Sequence, residues 1–147
     1  MVETVRVKEV FEVFEAVHAA RGKKAKVKVL QDNNIMPVRD VLQGTFDDRV
    51  QWNLPAGTPP YTPNSPDAPA PASLTKEHMK FKYFVKGLRE SEELNPIRRE
   101  RMFIDILETI PSKDAEILVS MVNKTKPEFD GLTKKLVQEA LPDLIPE

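Results

Sequence analysis

The chain reads as an all-α protein, a compact bundle of about seven helices with a long Pro-rich loop between the third and fourth. Three observations predict this. Apolar residues recur at helical spacing on both sides of the centre, as in Val10, Phe11, Phe14 and Val17 and again in Phe103, Ile106, Leu107 and Ile110. No segment shows the apolar–polar alternation of a strand. Residues 54–74 hold seven of the 13 prolines, and neither a helix nor a central strand can run through them.

The first helix is expected from about Val5 to Ala20. Val7, Val10, Phe11, Phe14 and Val17 form its apolar face, Glu9, Glu12 and Glu15 its polar face, and Gly22 its end. A second, short helix follows over Lys23 to Gln31, with Val27 and Leu30 inward, and Asp32-Asn33-Asn34 closes it as a turn. Pro37 suits the first turn of a third helix, whose buried stripe is Val38, Val41, Leu42 and Thr45-Phe46. Trp52 stands at the mouth of the Pro-rich segment, where an indole packs against the body and pins the loop.

After the loop, Ser73 or Thr75 caps a fourth helix with Phe81, Phe84, Val85 and Leu88 on its apolar face. Glu90 to Glu93 reads as a polar connection. Asn95-Pro96 is a cap and first-turn pair that opens the fifth helix, and Pro111-Ser112 separates it from the sixth, which turns Ala115, Leu118, Val119 and Val122 inward. Lys124 to Asp130 is a loop. Asp130-Gly131 opens the last helix, with Leu132, Leu136, Val137 and Ala140 as its stripe, and Pro142 stops it before the apolar tail Leu144-Ile145.

At 147 residues the chain is expected to be a single domain, residues 1–147, with the loop inside it. It has no cysteine, so neither a disulfide framework nor a thiolate metal site is available. No stretch approaches the roughly 20 apolar residues of a membrane span. The N-terminus has early acids and no apolar run, so it does not read as a secretory signal, and a cytoplasmic location is expected. With 22 basic and 23 acidic residues, a protein working mainly by non-specific nucleic-acid affinity is disfavoured, but a local basic face is not.

No catalytic constellation is visible, so neither an enzyme nor a cofactor or small-molecule substrate is expected. His18 and His78 lack the i, i+4 partner of a zinc helix and read as surface or partly buried helix residues. Gly22-Lys23-Lys24 lacks the first glycine of a phosphate-binding loop. Asp47-Asp48 and Glu92-Glu93 read as solvated acids.

Three basic clusters remain as candidates. Arg21, Lys23, Lys24, Lys26 and Lys28 crowd together with no acid among them. Arg98, Arg99 and Arg101 sit in the first turns of the fifth helix, the wrong end for its dipole. Lys124, Lys126, Lys134 and Lys135 flank the loop at Gly131, where a helix N-terminus beside lysines would make a phosphate seat. The plainer reading of each cluster is a solvated face balanced by nearby acids. The Pro-rich segment also has two readings: a strap packed down by Trp52, Leu54 and Tyr61, which we favour, or a polyproline ligand whose Thr58-Pro59-Pro60-Tyr61 resembles a proline-tyrosine motif.

Residues 30–55, LQDNNIMPVRDVLQGTFDDRVQWNLP, and 122–147, VNKTKPEFDGLTKKLVQEALPDLIPE, resemble small proteins encoded by T-even-like tailed phages, many of them marine. More distantly, the chain is similar to the N-terminal helical DNA-binding domain of T-even bacteriophage ATP-dependent DNA ligase. Phe46, Val50 and Trp52 match its aromatic-rich segment, Gly131 its glycine-led last helix, and Pro142 to Pro146 its closing tail. The resemblance implies an all-helical domain that lies against the minor groove and clamps duplex DNA around a nick. Carried over by position, contacts would fall on Gly131, Leu132, Thr133, Lys134 and Lys135, with Lys124 and Lys126 before them. The Pro-rich insert has no counterpart there, the adenylate-accepting K-x-D-G motif is absent, and the chain ends where the ligase would continue into its nucleotidyltransferase domain.

The expectation is therefore a non-catalytic binding module on duplex or nicked DNA, an accessory in phage DNA metabolism. Its candidate DNA contacts are Lys124, Lys126, Gly131, Thr133, Lys134, Lys135, Arg98, Arg99, Lys23 and Lys24. The alternative is a protein-interaction or virion structural module, meeting phage or host replication proteins through the strap and the tail Leu144-Ile145, with no membrane contact.

Overall fold

The structure is a computed structural model and describes residues 8–146. It is all-α. Among the described residues there are eight α-helices and one 3-10 helix, joined by loops and with no strand. α1 spans Val10–Ala19, α2 Lys23–Asp32 and α3 Met36–Phe46. The strap follows. After it come α4 (Leu74–Glu77), the 3-10 helix (His78–Tyr83), α5 (Arg89–Glu92), α6 (Pro96–Thr109), α7 (Ser112–Val122) and α8 (Lys134–Ala140).

The periodic stripes become the core. Phe14 and Val17 of α1, Val41 and Leu42 of α3, Leu107 of α6 and Leu118 of α7 are all fully buried. α7 is the central element, packed against α1, α3 and α6, and α2 lies between α1 and α8. Deleting one such side chain, for example Leu118→Ala, costs about 2–5 kcal/mol in a close-packed interior.

The strap is held by side chains because its prolines offer few amides. Asn123 clamps Gly57 from both sides, its Oδ1 accepting the Gly57 amide at 2.7 Å and its Nδ2 donating to the Gly57 carbonyl at 3.0 Å. Glu108 accepts the Thr62 amide, and the Asn64 amide group donates to the Ile110 carbonyl, both at 2.8 Å. Trp52 is buried and donates its indole N–H to the Gly44 carbonyl at 3.0 Å, and Tyr61 is half-buried against the core.

Several elements depart from expectation. α1 begins at Val10 with Glu9 before it, while Val5 and Val7 lie outside the described residues. Gly22 does not end α1. It caps the start of α2 at a φ of 87°, a conformation only glycine adopts freely. The expected fourth helix is broken after α4, because Val85 pairs with Trp52 in an antiparallel bridge. There Asn53 donates to the Phe84 carbonyl and Lys86 to the Gln51 carbonyl, bonds that a helix through Phe84 would exclude. Part of the supposed connection at Glu90–Glu93 is the single turn α5, with Ser91 buried. The tail does not project: Leu144 and Ile145 are in the core, so they offer a partner nothing.

Candidate nucleic-acid interface

The basic clusters have different fates. α2 opens on Lys23 and Lys24 and packs against α8, and its Lys26 meets the loop before α8 at Gly131. Lys26 lies across Gly131: a Cβ on that residue would sit 2.6 Å from Lys26 Cδ and 2.7 Å from Cε. Gly131 has a φ of 77° and is there for this close approach. It does not begin the helix. Thr133 does, its hydroxyl accepting the Leu136 amide at 3.2 Å, so the expected phosphate seat at Gly131 is corrected to a contact with Lys26.

The Lys26 ammonium itself turns to the end of α1, donating to the Val17 carbonyl at 2.7 Å and the His18 carbonyl at 3.3 Å. His18 joins the same seam, accepting the Asp130 amide at Nδ1 at 2.8 Å.

Lys124 does for α3 what Lys26 does for α1. It has a φ of 54°, and its ammonium donates to the Gly44 carbonyl at 2.8 Å and the Asp47 carbonyl at 2.7 Å, closing the end of α3. Burial lowers its pKa below the ordinary lysine value. Lys124 is thus a helix cap and is withdrawn from the DNA contacts. Beside it Asp47 is buried and chelated by Arg49, whose hydrogen bonds lower the acid's pKa to about 2.

Arg99 is a third case. It is 7% exposed, and its guanidinium donates to the Ser91 carbonyl at 2.8 Å and the Leu94 carbonyl at 3.0 Å, at the end of α5. It cannot reach a phosphate. Arg98 and Arg101 are exposed on α6, away from the α2–α8 seam.

What remains around the seam is a thin layer of surface cations. Lys23 pairs with Glu139 at 2.8 Å, and Lys134 with Asp48 at 3.4 Å. Such exposed pairs contribute about 0–1 kcal/mol and exchange readily for another anion. Arg21, Lys24, Lys126 and Lys135 are exposed and have no ion-pair partner among the described residues. Exposed Asp48, Glu128 and Asp130 share this region and dilute its field.

Two features were not foreseen. His78 faces Asp40 across α3 at 2.6 Å and fastens the 3-10 helix there. Asp114 is a fully buried acid on α7. Its place was hidden because its partner, the Phe11 amide, is 103 residues away. Among the described residues no group of three His, Asp or Glu side chains could hold a metal ion, and no helix is long and apolar enough to cross a membrane.

A family of unknown function, DUF6433, matches residues 13–127, most of the chain, which therefore belongs to that family. No curated protein and no solved structure matches it.

Proposed function

We propose that this member of the DUF6433 family is a non-catalytic helical module that docks on duplex or nicked DNA by phosphate contacts, as an accessory to DNA metabolism. The observation that carries the reading is the packing of α2 on α8, which joins two basic segments about a hundred residues apart into one seam. Arg21, Lys24, Lys126 and Lys135, which have no ion-pair partner among the described residues, would meet phosphates there, with Lys23 and Lys134 recruited from their weak surface pairs. Thr133 stands at the head of α8 beside them. The likeness of residues 122–147 to the ligase DNA-binding domain, and of both blocks to small phage proteins, supports the same surface and a role during phage infection.

The test is fluorescence anisotropy with intact, nicked and single-stranded DNA at several salt concentrations. With four to six phosphates engaged, the logarithm of the binding constant falls against that of salt with a slope of roughly −4 to −5. The double variant Lys24→Glu with Lys135→Glu lowers that slope by about two, while Arg98→Glu with Arg101→Glu leaves it unchanged. Absence of binding at low salt, or a double variant that binds like the parent, refutes the reading. A protein partner then becomes the better account, and the exposed Met79 and Leu88, 68% and 40% accessible beside Trp52, are where it would be sought first.

A further inference from the structure

We propose that Asp114, Glu9 and Ser73 form a proton-gated clasp, in which one proton held between the two carboxyl groups fastens the start of α1 and the end of the strap to α7, and its loss loosens both. This inference is independent of the DNA reading.

The three residues come from three elements that meet at one point. Asp114 lies in the first turn of α7 and is 0% exposed. Its Oδ1 accepts the Phe11 amide of α1 at 2.8 Å. Its Oδ2 is buried and has no hydrogen-bond partner among the described residues. A carboxylate in that state leaves an unpaired charge in a low-dielectric interior, which costs several kcal/mol. Protonation removes the charge and turns the orphaned oxygen into a donor. The acceptor the geometry points to is the Glu9 carboxyl group, two residues before the Phe11 amide that Asp114 holds and near enough to act on its charge. Glu9 in turn accepts the Ser73 hydroxyl at 2.7 Å, and Ser73 is the last residue of the strap and the cap of α4. One shared proton therefore connects α1, α7 and the strap.

The surrounding charges favour the protonated state. Glu9, just before α1, and Glu12 in its first turn both act on Asp114 and repel a second negative charge. On the α4 side, Lys76 and Glu77 line the adjoining groove, and Glu77 pairs with Lys80 at 2.7 Å. On α7, Lys113 turns away to Glu15 at 2.9 Å. No cation bonds Asp114 among the described residues. Burial, with these acids adding to it, raises the Asp114 pKa to about 7. A raised carboxyl pKa stabilises the closed state fully below the ordinary value of 3.8, and that stability is lost as pH rises to about 7. The groove beside the clasp, about 860 Å³ between the strap and the starts of α1 and α7, is the space that loosening would widen.

The experiment is a carbon-13 NMR titration of the Asp114 carboxyl group in the wild-type chain, with hydrogen exchange from pH 5 to pH 9 of the Phe11 amide and of the Ala72 amide, which ties the end of the strap to the Thr109 carbonyl at 2.8 Å. Asp114 is expected to titrate near neutrality. Protection of Phe11 is expected to fall by up to roughly tenfold per pH unit until about pH 7 and then level off, after correction for intrinsic exchange. Asp114→Asn, neutral at every pH, should abolish that dependence, and Glu9→Gln should move the midpoint to lower pH. An Asp114 that titrates in the ordinary carboxylate range, or protection that does not change with pH in the wild type, overturns the clasp whether or not the variants fold.

Discussion

Replacing Lys124 by methionine tests whether this lysine is a structural cation or belongs to the proposed DNA contacts. The ammonium holds the Gly44 and Asp47 carbonyls at 2.8 and 2.7 Å. Hydrogen bonds from a charged group contribute about 1.5–3 kcal/mol each, so the simple sum is about 3–6 kcal/mol. Two features reduce it. Each carbonyl keeps a second donor, Trp52 Nε1 on Gly44 and the Val50 amide on Asp47, each at 3.0 Å. Burial has also lowered the lysine pKa, so its removal recovers part of a desolvation cost. The expected net loss is about 2 kcal/mol, or about 4–8 °C in Tm for a chain of this size. Methionine preserves the apolar length of the side chain, so little packing is lost. Urea unfolding followed through Trp52, the single tryptophan of the chain, measures the change. A DNA titration on the same protein should show an unaltered salt slope. A variant with unchanged stability and a slope smaller by about one would mean that Lys124 meets phosphate, and the capping argument would fail.

Two further substitutions test the packing around the same region. Gly44→Ala would gain up to about 1 kcal/mol in an open helix. Here its Cβ would stand 2.5 Å from Trp52 Cζ2 and 2.8 Å from Met121 Sδ, so a net loss of about 1–3 kcal/mol is expected in urea unfolding; a stabilised variant would show that the indole does not sit against α3. Arg99→Met should cost about 3–5 kcal/mol by removing the donor to the Ser91 and Leu94 carbonyls. Arg98→Met should stay within about 0.5 kcal/mol, and equal effects of the two would contradict the burial of Arg99.

The helices were legible wherever a stripe of apolar residues was long enough to set the period. Phe103, Ile106, Leu107 and Ile110 define α6, and Asn95-Pro96 marks its start to the residue. The strap was legible because proline chemistry is local. The sequence misled where a non-local backbone partner decided the outcome. Phe81, Phe84, Val85 and Leu88 have helical spacing, yet Val85 pairs with Trp52 across the chain, and Leu88 ends up 40% exposed. Leu144 and Ile145 read as a projecting tail because nothing local shows that they fold back into the core.

Lys124 and Arg99 were placed among the candidate contacts for a more general reason. A phosphate oxygen and a carbonyl at the end of a helix make the same demand on a cation, since the last turn of a helix carries unpaired acceptors and a partial negative charge. In this protein Lys26 closes α1, Lys124 closes α3 and Arg99 closes α5, each from a distant part of the chain or from the next element. A sequence scan sees the three as members of basic clusters and cannot tell which acceptor each has found. Their neighbours Lys24, Lys126 and Arg98 have the same local composition and remain on the surface. Counting basic residues therefore overstates the charge available to a nucleic acid. For this chain the relevant quantity is what is left after the helix ends have been capped, and it limits the DNA interface proposed above to a few phosphates with a shallow salt dependence.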